Sequence, residues 1–142
     1  MRAFDPIADI EESHLILDRG AWPNFHDAEV HHLNIWRGDV RPEANVWIGP
    51  VIEASFELCA LQHPYIAVLK FHDCESIRME AFNHQNAVYD LSFQFEDRGN
   101  LNDGTPMPPF IVVRFEQTFG MALAFKCMRV QALERRVLPP GS

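Results

Sequence analysis

Imidazole and carboxylate side chains crowd into one seven-residue stretch, His26-Asp27-Ala28-Glu29-Val30-His31-His32. Both groups are ligands for divalent transition metals. A strand beginning near Ala28 puts Glu29 and His31 on one face, because side chains repeat every two residues. His26 or Asp27, or His72 and Asp73 further on, would complete such a site. The spacing itself matches no established ligand pattern: His26 and His31 stand at i, i+5, whereas the helical metalloprotease pair stands at i, i+4. In the structural reading, Asp27 caps a turn by accepting backbone N–H bonds, and Glu29 and His31 lie on a solvated face. The metal set His26, Asp27, Glu29 and His31 stands as the alternative.

Other reactive groups are scattered. Cys59, Cys74 and Cys127 sit in or beside strand patterns with apolar neighbours, where thiols are usually inert. Ser13, Ser55, Ser76 and Ser92 lack the glycines of a nucleophile elbow. Gly38, Gly49, Gly99, Gly104 and Gly120 are isolated turn glycines, so no loop is built to cradle phosphate. No catalytic residue and no cofactor is expected. Asn83-His84-Gln85-Asn86 is a compact polar cluster between Phe82 and Val88. Its amides and imidazole suit buried backbone groups where the chain passes between strands; a ligand-facing role is the second reading. Trp22, Trp36, Trp47, Tyr65 and Tyr89 combine bulk with a polar handle, which serves core packing or an interface.

The elements that must position these residues are mostly strands. Residues 6–19 suit a short helix: Asp5 is a cap, Pro6 a first helical residue, Gly20 a stop, and Ile7, Ile10, His14 and Leu17 fall on one side. A short edge strand around residues 14–17 is the rival. From Leu33 onward the period becomes two. Leu33 and Ile35, then Ala54, Phe56 and Leu58, then Leu69 and Phe71 alternate with polar or opposite-facing neighbours. Ile77, Met79 and Ala81, then Leu91, Phe93 and Phe95, then Ile111, Val113 and Phe115, then Leu123, Phe125 and Cys127 do the same. Such alternation marks antiparallel sheet with one face on a core. Arg37-Gly38-Asp39, His72-Asp73-Cys74-Glu75 and Phe119-Gly120 read as tight turns, and residues 97–109, rich in Pro and Gly, as one long loop that cannot pair as strand. Phe25-His26-Asp27-Ala28-Glu29 is echoed by Phe71-His72-Asp73-Cys74-Glu75, which suggests two similar turns leading into strands; five residues are too few to establish a duplication. The expected fold is mainly antiparallel β, about seven or eight strands curved into a sandwich or barrel, with one short N-terminal helix; α+β is the alternative.

The 142 residues suit a single domain with its core over about residues 20–133 and a frayed tail at 139–142. Eleven Phe and 47% hydrophobic residues supply the core. Twelve Lys and Arg against twenty Asp and Glu leave a net charge of -8, which argues against sequence-independent nucleic-acid binding and favours a partner with a basic surface. The N-terminus shows no apolar signal region and no run approaches a membrane span. Three widely spaced cysteines fit reduced thiols in a cytoplasmic protein.

Trp22-Pro23-Asn24-Phe25-His26-Asp27-Ala28-Glu29-Val30, followed by an alternating strand, resembles the opening of the Imm50 family, immunity proteins of bacterial polymorphic-toxin systems. Further similarity follows at residues 68–71, at Phe82-Asn83-His84-Gln85-Asn86, and at a strand ending in Phe125-Lys126-Cys127 after Gly120, so that about residues 20–130 are covered. The resemblance implies a small cytoplasmic protein that binds and neutralises a cognate toxin without catalysis. It does not say which surface binds or what the oligomeric state is. The motif residues Trp22, Phe25, His26, Asp27, Glu29, His84, Gln85 and Asn86 are expected to serve the fold.

Overall fold

The computed structural model describes residues 2–38, 40–41, 46–47, 49–117 and 120–137. At the N-terminus, Asp5 caps α1 (Pro6–Asp9) by accepting the Ile7 N–H at 3.0 Å, and Pro6 occupies the first turn, where a missing N–H costs nothing. The helix expected over residues 6–19 ends there. The Glu11 N–H donates to Val130 O and the Glu11 carbonyl accepts from Ala132 N–H, which draws the chain alongside a strand. Only a single 3₁₀ turn, Ser13–Leu15, follows. The core takes Ile10 and Ile16 and leaves Ile7 exposed, so the one-sided spacing does not describe the packed face.

Ten strands follow. The first sheet has the order β1 (Glu29–Trp36), β4 (Val51–Glu57), β5 (Tyr65–His72), β10 (Arg129–Val137). The second has the order β6 (Glu75–Glu80), β9 (Ala122–Cys127), β8 (Phe110–Gln117), β7 (Val88–Glu96). Two-residue strands β2 (Val40–Arg41) and β3 (Val46–Trp47) pair with each other. All strand pairings are antiparallel, and the sheets are not closed into a barrel.

Alternation explains the layering. In β8, Ile111, Val113 and Phe115 are buried between less buried neighbours; in β9, Leu123, Phe125 and Cys127 are. Ile52, Ala54, Phe56, Ala67, Leu69 and Phe71 answer from the first sheet. Aromatic rings bind the layers: Phe56 meets Phe115 at 5.1 Å, and Phe71 meets Phe125 edge-on at 4.9 Å. Trp22 continues this line outward through Phe25, which stands edge-on to Phe56.

Four expectations change. The 129–137 segment, RVQALERRV, has no apolar alternation and is read as no element, yet it is β10; a bulge between Ala132 and Glu134 breaks its period. Met79 and Ala81 were expected on a core face, but both are exposed, because β6 is an edge strand with a register shift between Glu75 and Arg78. Residues 72–75 form no hairpin; they carry the chain from one sheet to the other. Arg37-Gly38-Asp39 joins strands that do not pair, since β1 pairs with β4; Asp39 itself lies outside the described residues. The 97–109 loop folds on itself through an Asn100–Pro106 bridge and a Leu101 N–H bond to Thr105 O. β8 and β9 pair as the expected turn at Phe119-Gly120 requires, although Phe119, the side chain of Trp47 and the tail at 139–142 lie outside the described residues.

Candidate functional site

The two sequence clusters meet. Residues 27–30 run antiparallel to residues 86–88: Asp27 N–H donates to Val88 O, Val88 N–H to Ala28 O, and Val30 N–H to Asn86 O, at 2.9–3.0 Å. This short ladder, with its Glu29–Ala87 bridge, ties the start of β1 to the start of β7 and so links the two sheets at one edge. Side chains complete the seam. Glu29 Oε1 accepts the Asn86 N–H at 2.7 Å. The Asn86 amide is 3% exposed; its oxygen accepts from Asn83 N–H at 2.8 Å and its nitrogen donates to Asn83 O at 2.6 Å. His26 Nδ1–H donates to Tyr89 O at 2.7 Å, and the two rings stand edge to face at 5.1 Å.

The structural role first assigned to the 83–86 cluster is therefore present in Asn86: it satisfies backbone groups where the chain leaves β6 for β7. His84 and Gln85 are exposed. Gly120 closes the seam from the other side. Its backbone is left-handed (φ 74°), and a Cβ there would come within 2.1 Å of Gln85 O.

The strand register shifts just after Val30. Val30 pairs with Phe56 and His32 with Ser55, so His31 is an extra, bulged residue. The register places Glu29 and His32 on one face, opposite Glu57 and Ser55, and both His31 and His32 are exposed. Glu29 is held by Asn86 and His26 by Tyr89, while Asp27 lies 3.5 Å from His26 Nε2 at the surface. Among the described residues, no group of three or more His, Cys, Asp or Glu is arranged to hold a metal ion.

The sequence echo has a conformational basis. Asp27 and Asp73 are both left-handed, at φ 64° and 55°, and each precedes a buried small residue, Ala28 or Cys74, and follows a buried Phe by two positions. Asp is one of the few side chains that tolerates this backbone, because it can bond locally. Asp73 uses that capacity, accepting the Gly49 N–H at 3.0 Å.

A cleft of about 290 Å³ beside the seam is lined by Phe4, Trp22, Asn24, Phe25, Asp90 and Phe93. Phe4 stacks on Phe93 at 5.0 Å, so the N-terminal segment forms one wall. Further along, His63 accepts the Asn24 N–H at Nε2 and turns Nδ1–H to Asp18. This His–Asp pair was not singled out by the sequence, because 45 residues separate its members. Its second ring nitrogen is taken by the Asn24 backbone N–H, so the pair pins two loops. Two of the three thiols are poor nucleophiles: burial pushes Cys74 up to about 12 and also raises Cys127.

Aromatic, apolar and acidic side chains are exposed between residues 79 and 90 and at Asp27. Tyr89 is 56% exposed, Phe82 and Met79 46% each, with Asp27, Glu80 and Asp90 also exposed. No family model matches the chain, and neither the curated proteins nor the solved structures contain a match to it. Among the described residues, no helix is long and apolar enough to cross a membrane.

Proposed function

We propose that this chain is an immunity-type binding protein, which neutralises a cognate toxin in the cytoplasm by direct protein–protein contact and performs no catalysis of its own. The observation that carries the reading is how the polar motif groups are used. Glu29, Asn86 and His26, the residues best suited to chemistry, are committed to internal hydrogen bonds. Tyr89, Phe82 and Met79 are exposed, as are the carboxylates Glu80 and Asp90. Aromatic and methionine side chains are the types enriched where proteins bind proteins. The net charge of -8 steers a basic partner and repels nucleic acid. The resemblance of the 22–30 and 82–86 segments to immunity proteins supports the same reading.

The test is capture from the source cell with this chain as bait. The expected product is one basic protein at a one-to-one ratio, whose toxicity is abolished by co-expression of this chain. Its association is expected to slow about tenfold or more as salt rises from low to physiological concentration and beyond. A captured protein that remains toxic in the presence of this chain overturns the proposal. So does purified bait that carries stoichiometric metal and loses it on His31→Ala, which moves the function to the His26, Asp27, Glu29 and His31 set.

A further inference from the structure

The outer face of the second sheet carries a groove that the seam does not use. β9 presents only Ala122 and Ala124 at its centre, while the strands on either side present long charged residues. Arg78 of β6 and Arg114 of β8 are both register partners of Ala124. The two guanidiniums therefore rise on opposite sides of one methyl group, from strands about 9.6 Å apart, which is two strand spacings. The hollow between them is about 370 Å³ and continues into a second of about 400 Å³ that ends at Lys126.

Charge makes this groove unusual for the molecule. Lys126 is paired with Glu96, Arg129 with Glu11 and Arg2 with Asp9. Arg78 and Arg114 have no ion-pair or hydrogen-bond partner among the described residues, although acidic groups outnumber basic ones by eight. One row further along, Glu80 stands opposite Ala122 and Glu116 lines the same end of the groove. The face thus carries a row of two cations beside a row of two anions, each row divided by an alanine.

We infer that this groove docks an extended segment of a partner protein in which an acidic and a basic side chain stand two residues apart. Two residues along an extended chain span about 6.6 Å, the separation of the two rows. The carboxylate enters between Arg78 and Arg114, whose planar donors suit it, and the ammonium or guanidinium enters between Glu80 and Glu116. A polyanion is disfavoured, because the glutamates and the net charge repel it. The inference rests on the reading of this chain as a protein-binding protein, and it names a surface and a charge pattern for the partner.

The test is a nuclear magnetic resonance titration of the full chain with three probes: an uncharged-end peptide of Thr-Lys-Thr-Glu-Thr sequence, the same peptide with Lys replaced by Glu, and inorganic phosphate. The expected result is that the mixed-charge peptide shifts the amides of residues 76–80, 112–116 and 122–126 and binds best of the three. Arg78→Ala with Arg114→Ala is expected to weaken it about tenfold with the fold intact, since both side chains are exposed. Ala124→Leu, which fills the floor and removes no charge, is expected to weaken it too. Equal response to phosphate, equal binding of the all-acidic peptide, or indifference to these variants overturns the inference. A toxin that is captured and neutralised equally by the double variant overturns only the groove. Peptide binding in the groove together with no neutralised toxin overturns only the immunity reading.

Discussion

The Glu29 carboxylate accepts the backbone N–H of Asn86 at 2.7 Å across 57 residues of chain. This contact joins the two most polar clusters of the sequence and lies on the seam between the two sheets. Removing the acceptor leaves a part-buried N–H without that partner. Glu29→Ala is expected to cost about 1–3 kcal/mol, and Glu29→Gln, which keeps an Oε1 acceptor, much less. Asn86→Ala strips partners from both Asn83 N–H and Asn83 O and is expected to cost about 2–4 kcal/mol. Urea unfolding of the three variants checks the order.

Gly120 is expected to tolerate no side chain. Gly120→Ala must move the Gln85 carbonyl, which a Cβ would approach to 2.1 Å, and must also hold alanine at φ 74°. The combined cost is expected to exceed about 2 kcal/mol. A lowered melting temperature, with amide shifts spreading from residue 120 into residues 83–88, is the readout.

The two left-handed aspartates should separate under the same substitution. Asp27→Gly relieves a strained backbone and removes only a surface contact with His26, so its stability is expected to stay within about 0.5 kcal/mol of the parent. Asp73→Gly relieves the same strain but loses the bond from Gly49 N–H, and is expected to cost about 1 kcal/mol. Equal effects in thermal unfolding would show that the Gly49 contact contributes nothing.

A thiol reagent at pH 8 is expected to modify one cysteine of three in the native chain. Cys59 is half-buried, whereas Cys74 and Cys127 are buried. Burial raises the thiol of Cys74 to about 12, and burial also shifts the Cys127 thiol upward. For these two groups the folded value lies above the unfolded one. Their contribution is complete below the ordinary value of 9.0 and declines as pH rises past it, because the unfolded chain ionises first. Mass spectrometry after brief labelling counts the modified sites.

In acid the sign reverses. The hydrogen bonds from Arg129 hold the Glu11 carboxyl below its ordinary value of 4.5, and those from Arg2 lower Asp9. These pairs stabilise the fold above the ordinary carboxylate range and lose that effect as pH falls through the depressed values. Glu11 and Arg129 are both about half exposed, so the effect of that pair is expected to be small and salt-sensitive. Glu11→Gln should flatten the acid limb of the stability curve below about pH 4.5, read by unfolding at stepped pH.

Much of the architecture was legible because a half-buried strand writes its faces into the sequence with a period of two. Leu91-Ser92-Phe93 and Val113-Arg114-Phe115 show it, and both lie in paired strands. The Asp5-Pro6 cap was legible because capping is local. β10 was not, because a bulge and three charged residues near its end conceal its two core contacts, Val130 and Ala132. The exposure of Met79 was not, because an edge position is a property of the sheet.

The strand-rich character of the chain, its acidity and the similar turns at Asp27 and Asp73 are legible from the residues alone. All of these follow from composition, from side-chain period or from the backbone preference of single residues. That Glu29 meets Asn86, that a bulge at His31 shifts β1 against β4, and that Arg78 and Arg114 flank Ala124 came from the folded arrangement. Each depends on which strands become neighbours and in what register. Register is a long-range property, set where two buried faces must interlock, and a one-residue shift would have reversed every face.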